Sequence, residues 1–117
     1  MEEVFPPVAR RAGQSTVVLS IAAGRPIASF AKHLAATAAI IRAMPNTPAA
    51  VGRGITVCCA NSRVRPTQRK VATELLSAVG EVGWVEDEAL IDSVTAVSGS
   101  GPAYVFLLAE CLAKAGV

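Results

Sequence analysis

Alternating strand and helix signals predict an α/β fold with a largely parallel sheet, closed by helices that lead toward a further domain. Three observations carry this. Short apolar, β-branched runs recur at residues 16–21, 38–43, 54–60 and 82–85, each of strand length. Helical patterns separate several of them, at residues 26–35 and 66–79. Beyond Asp87 the chain is helical in character almost to its end.

Residues 2–12 have the pattern of an amphipathic helix stopped at Gly13. The run 16–21 is a short buried strand, and Ala22, Ala23 and Gly24 turn the chain. Pro26 suits the opening of the next helix, through about Ala35, because no N–H is missed at a first helical position. A second buried strand spans 38–43, after which Pro45 and Pro48 enforce a loop. The third strand covers 54–60. Pro66 begins an amphipathic helix whose apolar residues Val71, Leu75, Leu76 and Val79 recur at helical spacing, ending at Gly80. Residues 82–85 form a short edge strand. Two helices, 87–97 and 102–117, meet at a serine–glycine turn. The strand beginning at Thr16 is expected to have an open edge.

Composition fits a small core. The 117 residues are 52% hydrophobic but only 4% aromatic, so packing rests on Ala, Val, Leu and Ile. Arg53, Arg63, Arg65, Arg69 and Lys70 hold much of the positive charge, with a net charge of +2 and no interleaved aromatic residues, which excludes a nucleic-acid surface. Cys58, Cys59 and Cys111 form no CxxC pair and no metal spacing with His33, so no metal site is expected, and a reducing cytoplasm is. The start of the chain lacks the pattern of a secretory signal. Its longest apolar tract, at the C-terminal end, is interrupted by Glu110 and Lys114 and is expected to be too short and too charged to span a membrane.

The tract TAVSGSGPAY, residues 95–104, concentrates small side chains and accessible amides where a helix begins. Such a turn seats an anion or a flat polar ligand, and the same residues also make a plain connector. Neither glycine pair completes a dinucleotide fingerprint: Gly99 and Gly101 put Tyr104 at the third position, and Gly52 and Gly54 put Val57 there. Asn46 either caps a loop or presents its amide to a ligand. Glu86, Asp87 and Glu88 read as favourable charge before a helix rather than an acid–base pair. His33 reads as a surface residue, and Trp84 as packing at a strand end.

In order, SIAAG (20–24), IRAMPNTPAAVGRGIT (41–56) and VGEVGWVEDEALIDSVTAVSGSGPAY (79–104) resemble pyrroline-5-carboxylate reductase, from about Val17 to Val117. The resemblance implies the second half of a Rossmann-type NAD(P)-binding domain, residues 1–86, followed by the first helices of an all-α dimerisation domain, residues 87–117. It implies reduction of 1-pyrroline-5-carboxylate to proline with NADPH or NADH, in a homo-oligomeric cytoplasmic enzyme. Ala22, Ala23, Met44, Pro45 and Asn46 would meet the nicotinamide half of the cofactor. Thr95, Ser98 and Ser100 would line the catalytic pocket as hydroxyl donors, and Ser98, Gly99, Ser100 and Gly101 would contact the substrate. The family also has a glycine-rich fingerprint and a later helical region with a further substrate loop. Neither is in this sequence, which implies an internal segment, inactive alone. A related imine or hydroxyacid reductase and a non-catalytic fragment with a structural or binding role are the alternatives.

Overall fold

A computed structural model describes residues 5–13 and 15–117. Its four strands are β1 (Val17–Ser20), β2 (Ala39–Met44), β3 (Gly54–Ala60) and β4 (Gly80–Trp84), and they lie side by side in chain order. The helices are α1 (Phe5–Ala9), α2 (Ile27–Ala31), α3 (Pro66–Ser77), α4 (Leu90–Val94) and α5 (Gly101–Ala115). A 3-10 turn (Thr47–Val51) joins β2 to β3, and a π-helical turn (Thr95–Gly99) joins α4 to α5. Of the helix expected at residues 2–12, α1 holds Phe5–Ala9; it ends short of Ala12, and the expected start at Glu2 lies outside the described residues.

The sheet is mixed rather than largely parallel. β1 with β2 and β3 with β4 are parallel, but β2 and β3 run antiparallel, with Ile41 opposite Ala60 and Met44 opposite Val57. The reason is the connection. A parallel pair needs a crossover of a dozen or more residues, whereas 45–53 holds only the 3-10 turn fixed by its prolines. β2 is central and buried on both faces. Ile41 and Ala43 pack with Cys58, Ala72 and Leu76 beneath α3, while Ile40 packs with Phe30, Leu34 and Ala38 on the other side. β1 occupies one edge, as expected, flanked by hollows of 500 and 310 Å³.

Gly80 does not end a helix; it starts β4. Its φ is +148°, and a Cβ there would lie 2.0 Å from the Gly54 carbonyl oxygen, so only glycine lets β3 and β4 approach this closely. α2 stops at Ala31, short of Ala35, and His33 beyond it is exposed, its ring stacked on Phe5 with centroids 4.3 Å apart. Trp84 lies at the end of β4, where its indole N–H donates to Thr73 Oγ1 at 3.1 Å and Arg69 covers its ring.

The largest departure concerns the C-terminal segment. From Leu90 to Ala115 the chain is one continuous 26-residue helical stretch, in which α4 passes into α5 through the π-helical turn and Ser100 instead of breaking there. By length and composition it is able to cross a membrane, so the expectation that this tract is too short is corrected. The helix reaches beyond the sheet, and Tyr104, Val105, Phe106, Leu107, Leu108 and Leu112 on α5 are each 60–64% exposed.

Candidate active site at the carboxyl edge of the sheet

β1 and β2 are parallel, so their carboxyl ends share one edge of the sheet. In open α/β sheets this edge is where ligands bind. β1 ends at Ser20, whose hydroxyl oxygen accepts the Ala22 N–H at 3.2 Å and turns the chain. Ala22 packs against the Phe30 cluster, Ala23 is exposed, and Gly24 adopts φ +67°. β2 ends at Met44, followed by half-buried Pro45 and Asn46.

Asn46 precedes the 3-10 turn but its side chain does not cap it. Instead Oδ1 accepts the Ile55 N–H at 2.9 Å, and Nδ2 donates to the Ser98 carbonyl at 3.2 Å. The π-helical turn is thereby held against the end of β2. Gly99 fits there because it lacks a side chain: an added Cβ would lie 2.7 Å from Met44 Cε. The edge residues Met44, Pro45 and Asn46 thus meet the serine–glycine turn. Gly101 borders open space, with no atom within 4 Å of an added Cβ.

The three hydroxyls expected to act as donors are spent inside the helix. Thr95 Oγ1 donates to the Ile91 carbonyl at 2.7 Å, Ser98 Oγ to Val94 at 3.2 Å, and Ser100 Oγ to Thr95 at 2.9 Å. Each oxygen keeps acceptor capacity. In this arrangement the hydroxyls offer lone pairs, not protons.

Behind the edge lies an ion cluster that the sequence reading missed. Arg42, in the middle of β2, is 5% exposed; its guanidinium pairs with Glu88 Oε1 at 3.1 Å and Asp92 Oδ1 at 3.2 Å. Glu88 Oε1 also accepts the Ile27 N–H at 2.7 Å, joining the start of α2 to the approach to α4. The acidic run therefore divides its work. Asp87 accepts the Ala89 N–H at 2.9 Å, Glu86 meets Arg69 at 3.3 Å, and Glu88 holds Arg42. A lone arginine inside an apolar strand was the available signal, because a buried charge requires a partner.

Among the described residues no three metal-ligating side chains cluster. Cys58 and Cys59 are buried, and burial raises both thiols, Cys58 to about 11. They are packing residues rather than nucleophiles.

Residues 88–117 match the family model described as pyrroline-5-carboxylate reductase dimerisation. The pyrroline-5-carboxylate reductase of Pseudomonas aeruginosa is 50% identical over 100 residues, covering 86% of this chain and 37% of the relative. That of Synechocystis is 52% identical over 101 residues, with the same coverages. Among solved structures, a pyrroline-5-carboxylate reductase from Coxiella burnetii superposes with a TM-score of 0.86 at 38% identity, over 98% of this chain and 43% of that one. The Plasmodium falciparum pyrroline carboxylate reductase with NADP bound gives 0.88 at 32% identity, over 97% of this chain and 45% of that one. The chain thus spans less than half the length of these relatives. Its sheet corresponds to the C-terminal part of their Rossmann domain and its long helix to the start of their helical domain.

Proposed function

We propose that this chain, which is 50% identical to the pyrroline-5-carboxylate reductase of Pseudomonas aeruginosa over 86% of its own length and matches that family's dimerisation model at residues 88–117, is a segment of such an enzyme and forms the nicotinamide-facing and substrate-facing part of a protein that reduces 1-pyrroline-5-carboxylate to proline. The observation that carries this reading is the seating of Gly99 on Met44, with Asn46 bonded to Ser98, at the carboxyl edge of β1 and β2. The division we propose, a partial Rossmann-type domain at 1–86 and a helical domain from 87, puts the site at their join.

The edge fits the flat end of a nicotinamide cofactor. Ala22 and Ala23 have small side chains, Ala23 is exposed, and an added Cβ at Gly24 would meet nothing within 4 Å, so a ring has room to approach the backbone. NADPH or NADH, when bound, supplies the hydride. The chain's own part is placement. Met44 and Pro45 form the wall beside the ring, and Asn46 retains one N–H and one lone pair for a carboxamide. The lone pairs of Thr95, Ser98 and Ser100 accept the N–H of a protonated imine, and Ser98, Gly99, Ser100 and Gly101 line the substrate side. Orientation and exclusion of water then serve the transfer without a protein nucleophile.

The exposed apolar face of α5 is the proposed homo-oligomer contact. Three free cysteines suit a cytoplasmic setting. With no fingerprint turn for the pyrophosphate in the sequence, the isolated chain is not expected to reduce the imine at an enzyme-like rate. A sharper test is an NMR titration with NADP⁺ and with proline, the stable product. Shifts should gather at residues 22–24, 44–46 and 95–101. A titration that moves α3 and β4 while leaving these residues still refutes the reading.

A further inference from the structure

The chain's longest helix contains a proline at a decisive place. Residue 102 is fourth after Ser98, so in an α-helix its N–H would serve the Ser98 carbonyl, and proline has none. The next amide is committed elsewhere, since Ala103 N–H donates to the Ser100 carbonyl at 3.0 Å. The backbone takes up a π-helical turn just before the proline, in which Ser100 N–H reaches back five residues to the Thr95 carbonyl at 2.9 Å. Ser98's carbonyl is met from the sheet, by Asn46 Nδ2 at 3.2 Å. The amide's orientation follows from its other end, because Oδ1 faces the Ile55 N–H, which only donates.

We infer that Asn46 is a positioning residue: it supplies the hydrogen-bond donor that Pro102 withholds, and so sets the serine–glycine turn on the carboxyl edge of the sheet. Its two ends have unlike tasks. Oδ1 ties Asn46 to Ile55 at the start of β3, and Nδ2 ties the helix to Asn46. An amide is suited to both, whereas a carboxylate accepts from Ile55 and offers Ser98 nothing. Asn46 and Ser98 are both half-buried, so solvent replaces the bond only in part. The inference rests on the proposed function only in calling this turn a site.

The test is a double-mutant cycle on this chain, read by amide hydrogen exchange without ligand or turnover. Its members are the parent, Asn46→Asp, Pro102→Ala and the double variant. Asn46→Asp should cut protection at Gly99, Ser100 and Gly101 by about tenfold, the order expected when a partly buried carbonyl loses its donor. The Ile55 amide should stay protected, because aspartate still accepts from it. Pro102→Ala restores an N–H to residue 102, so the same Asn46→Asp change on that background should cost less than about threefold. If Asn46→Asp alone does not fold, the double variant should recover the fold. Equal losses on both backgrounds, an equal loss at Ile55, or a double variant no better than Asn46→Asp would overturn the inference. An inactive chain would leave it standing; its failure would remove the Asn46 tie from the proposed site and leave that reading on the seating of Gly99 against Met44 and on the family likeness.

Discussion

Truncating Glu88 is expected to cost far more stability than truncating Asp92, although the two carboxylates pair with Arg42 at 3.1 and 3.2 Å. Distance does not separate them. Burial does, since the Glu88 side chain is 29% exposed and that of Asp92 is 80% exposed. A solvated pair contributes about 0–1 kcal/mol, which bounds Asp92→Ala. Removing one partner of a buried pair costs about 3–5 kcal/mol, because the remaining charge is left uncompensated. Arg42, with 6% of its side chain exposed, would retain only the solvated Asp92, and the Ile27 N–H would lose its acceptor. We place Glu88→Ala at the lower end of that range, about 3 kcal/mol.

Glu88→Gln separates charge from hydrogen bonding. Its carbonyl oxygen is still able to accept from both Arg42 and Ile27, so about 1 kcal/mol should be lost. Against a total stability of about 5–15 kcal/mol, these steps are resolvable in urea melts followed by circular dichroism at neutral pH. The expected order of loss is Glu88→Ala, then Glu88→Gln, then Asp92→Ala. Equal midpoints for Glu88→Ala and Asp92→Ala would refute the assignment of Arg42 to a buried cluster, and a Gln variant as weak as the Ala variant would refute the separate role of the shared oxygen.

Left uncovered, α5 should drive concentration-dependent self-association in light scattering; a stable monomer with strong exchange protection along α5 would refute this, and uptake onto lipid vesicles without self-association would point to a membrane instead. In an active family enzyme carrying this segment, Gly101→Val should lower kcat/KM at least about tenfold, or about 1.4 kcal/mol, with little change in thermal midpoint, while His33→Ala leaves both unchanged. The reverse pattern puts the site elsewhere. Gly99→Ala should shift stability by less than about 1 kcal/mol, because the better helix propensity of alanine offsets displacement of the flexible end of Met44, and it should weaken NADPH binding in the same enzyme. Iodoacetamide at neutral pH should label exposed Cys111 and spare Cys58 and Cys59 in the folded chain. Folding raises the Cys58 thiol from 9.0 to about 11, so its contribution to stability is intact below pH 9.0 and lost as pH rises through about 11, a decline that Cys58→Ala should reduce in alkaline melts.

Strand positions were legible because buried strands leave a plain mark, a short apolar β-branched run, and β3 spans the very residues so marked. Strand direction is a property of the connection. The loop 45–53 is too short for a parallel crossover, and reading its length against that limit would have corrected the sheet. The long helix was hidden for a different reason. Ser, Gly and Pro within residues 98–102 are local signals for a break, and the tertiary contacts of Gly99 with Met44 and Ser98 with Asn46 override them. Once the helix is continuous, Thr95, Ser98 and Ser100 have carbonyls one turn back to bond, so their direction as donors was not readable from residue type. Ala22, Ala23, Met44 and Asn46 were reached through the family resemblance, and their edge is the one that parallel β1 and β2 share.

The two ties between the long helix and the sheet also explain why α5 is bare. Arg42 and Asn46 follow one another toward the carboxyl end of β2, and their helix partners, Asp92 and Ser98, follow in the same sense. Four residues of extended chain, the end of β2 and the two beyond it, advance on the order of 13 Å and six of helix on the order of 9 Å, so the helix travels with the strand, inclined to it, and reaches the sheet edge at the π-helical turn. After Gly101 there is no further strand to lie on. α5 continues beyond the sheet with apolar side chains around its circumference, which only another body of protein or an apolar phase would cover. The serine–glycine turn sits at that exit, between a helix pinned by Arg42 and a helix without cover. Whatever docks on α5 therefore also bears on the turn, and in the proposed enzyme the assembly contact and the substrate side of the site share one helix.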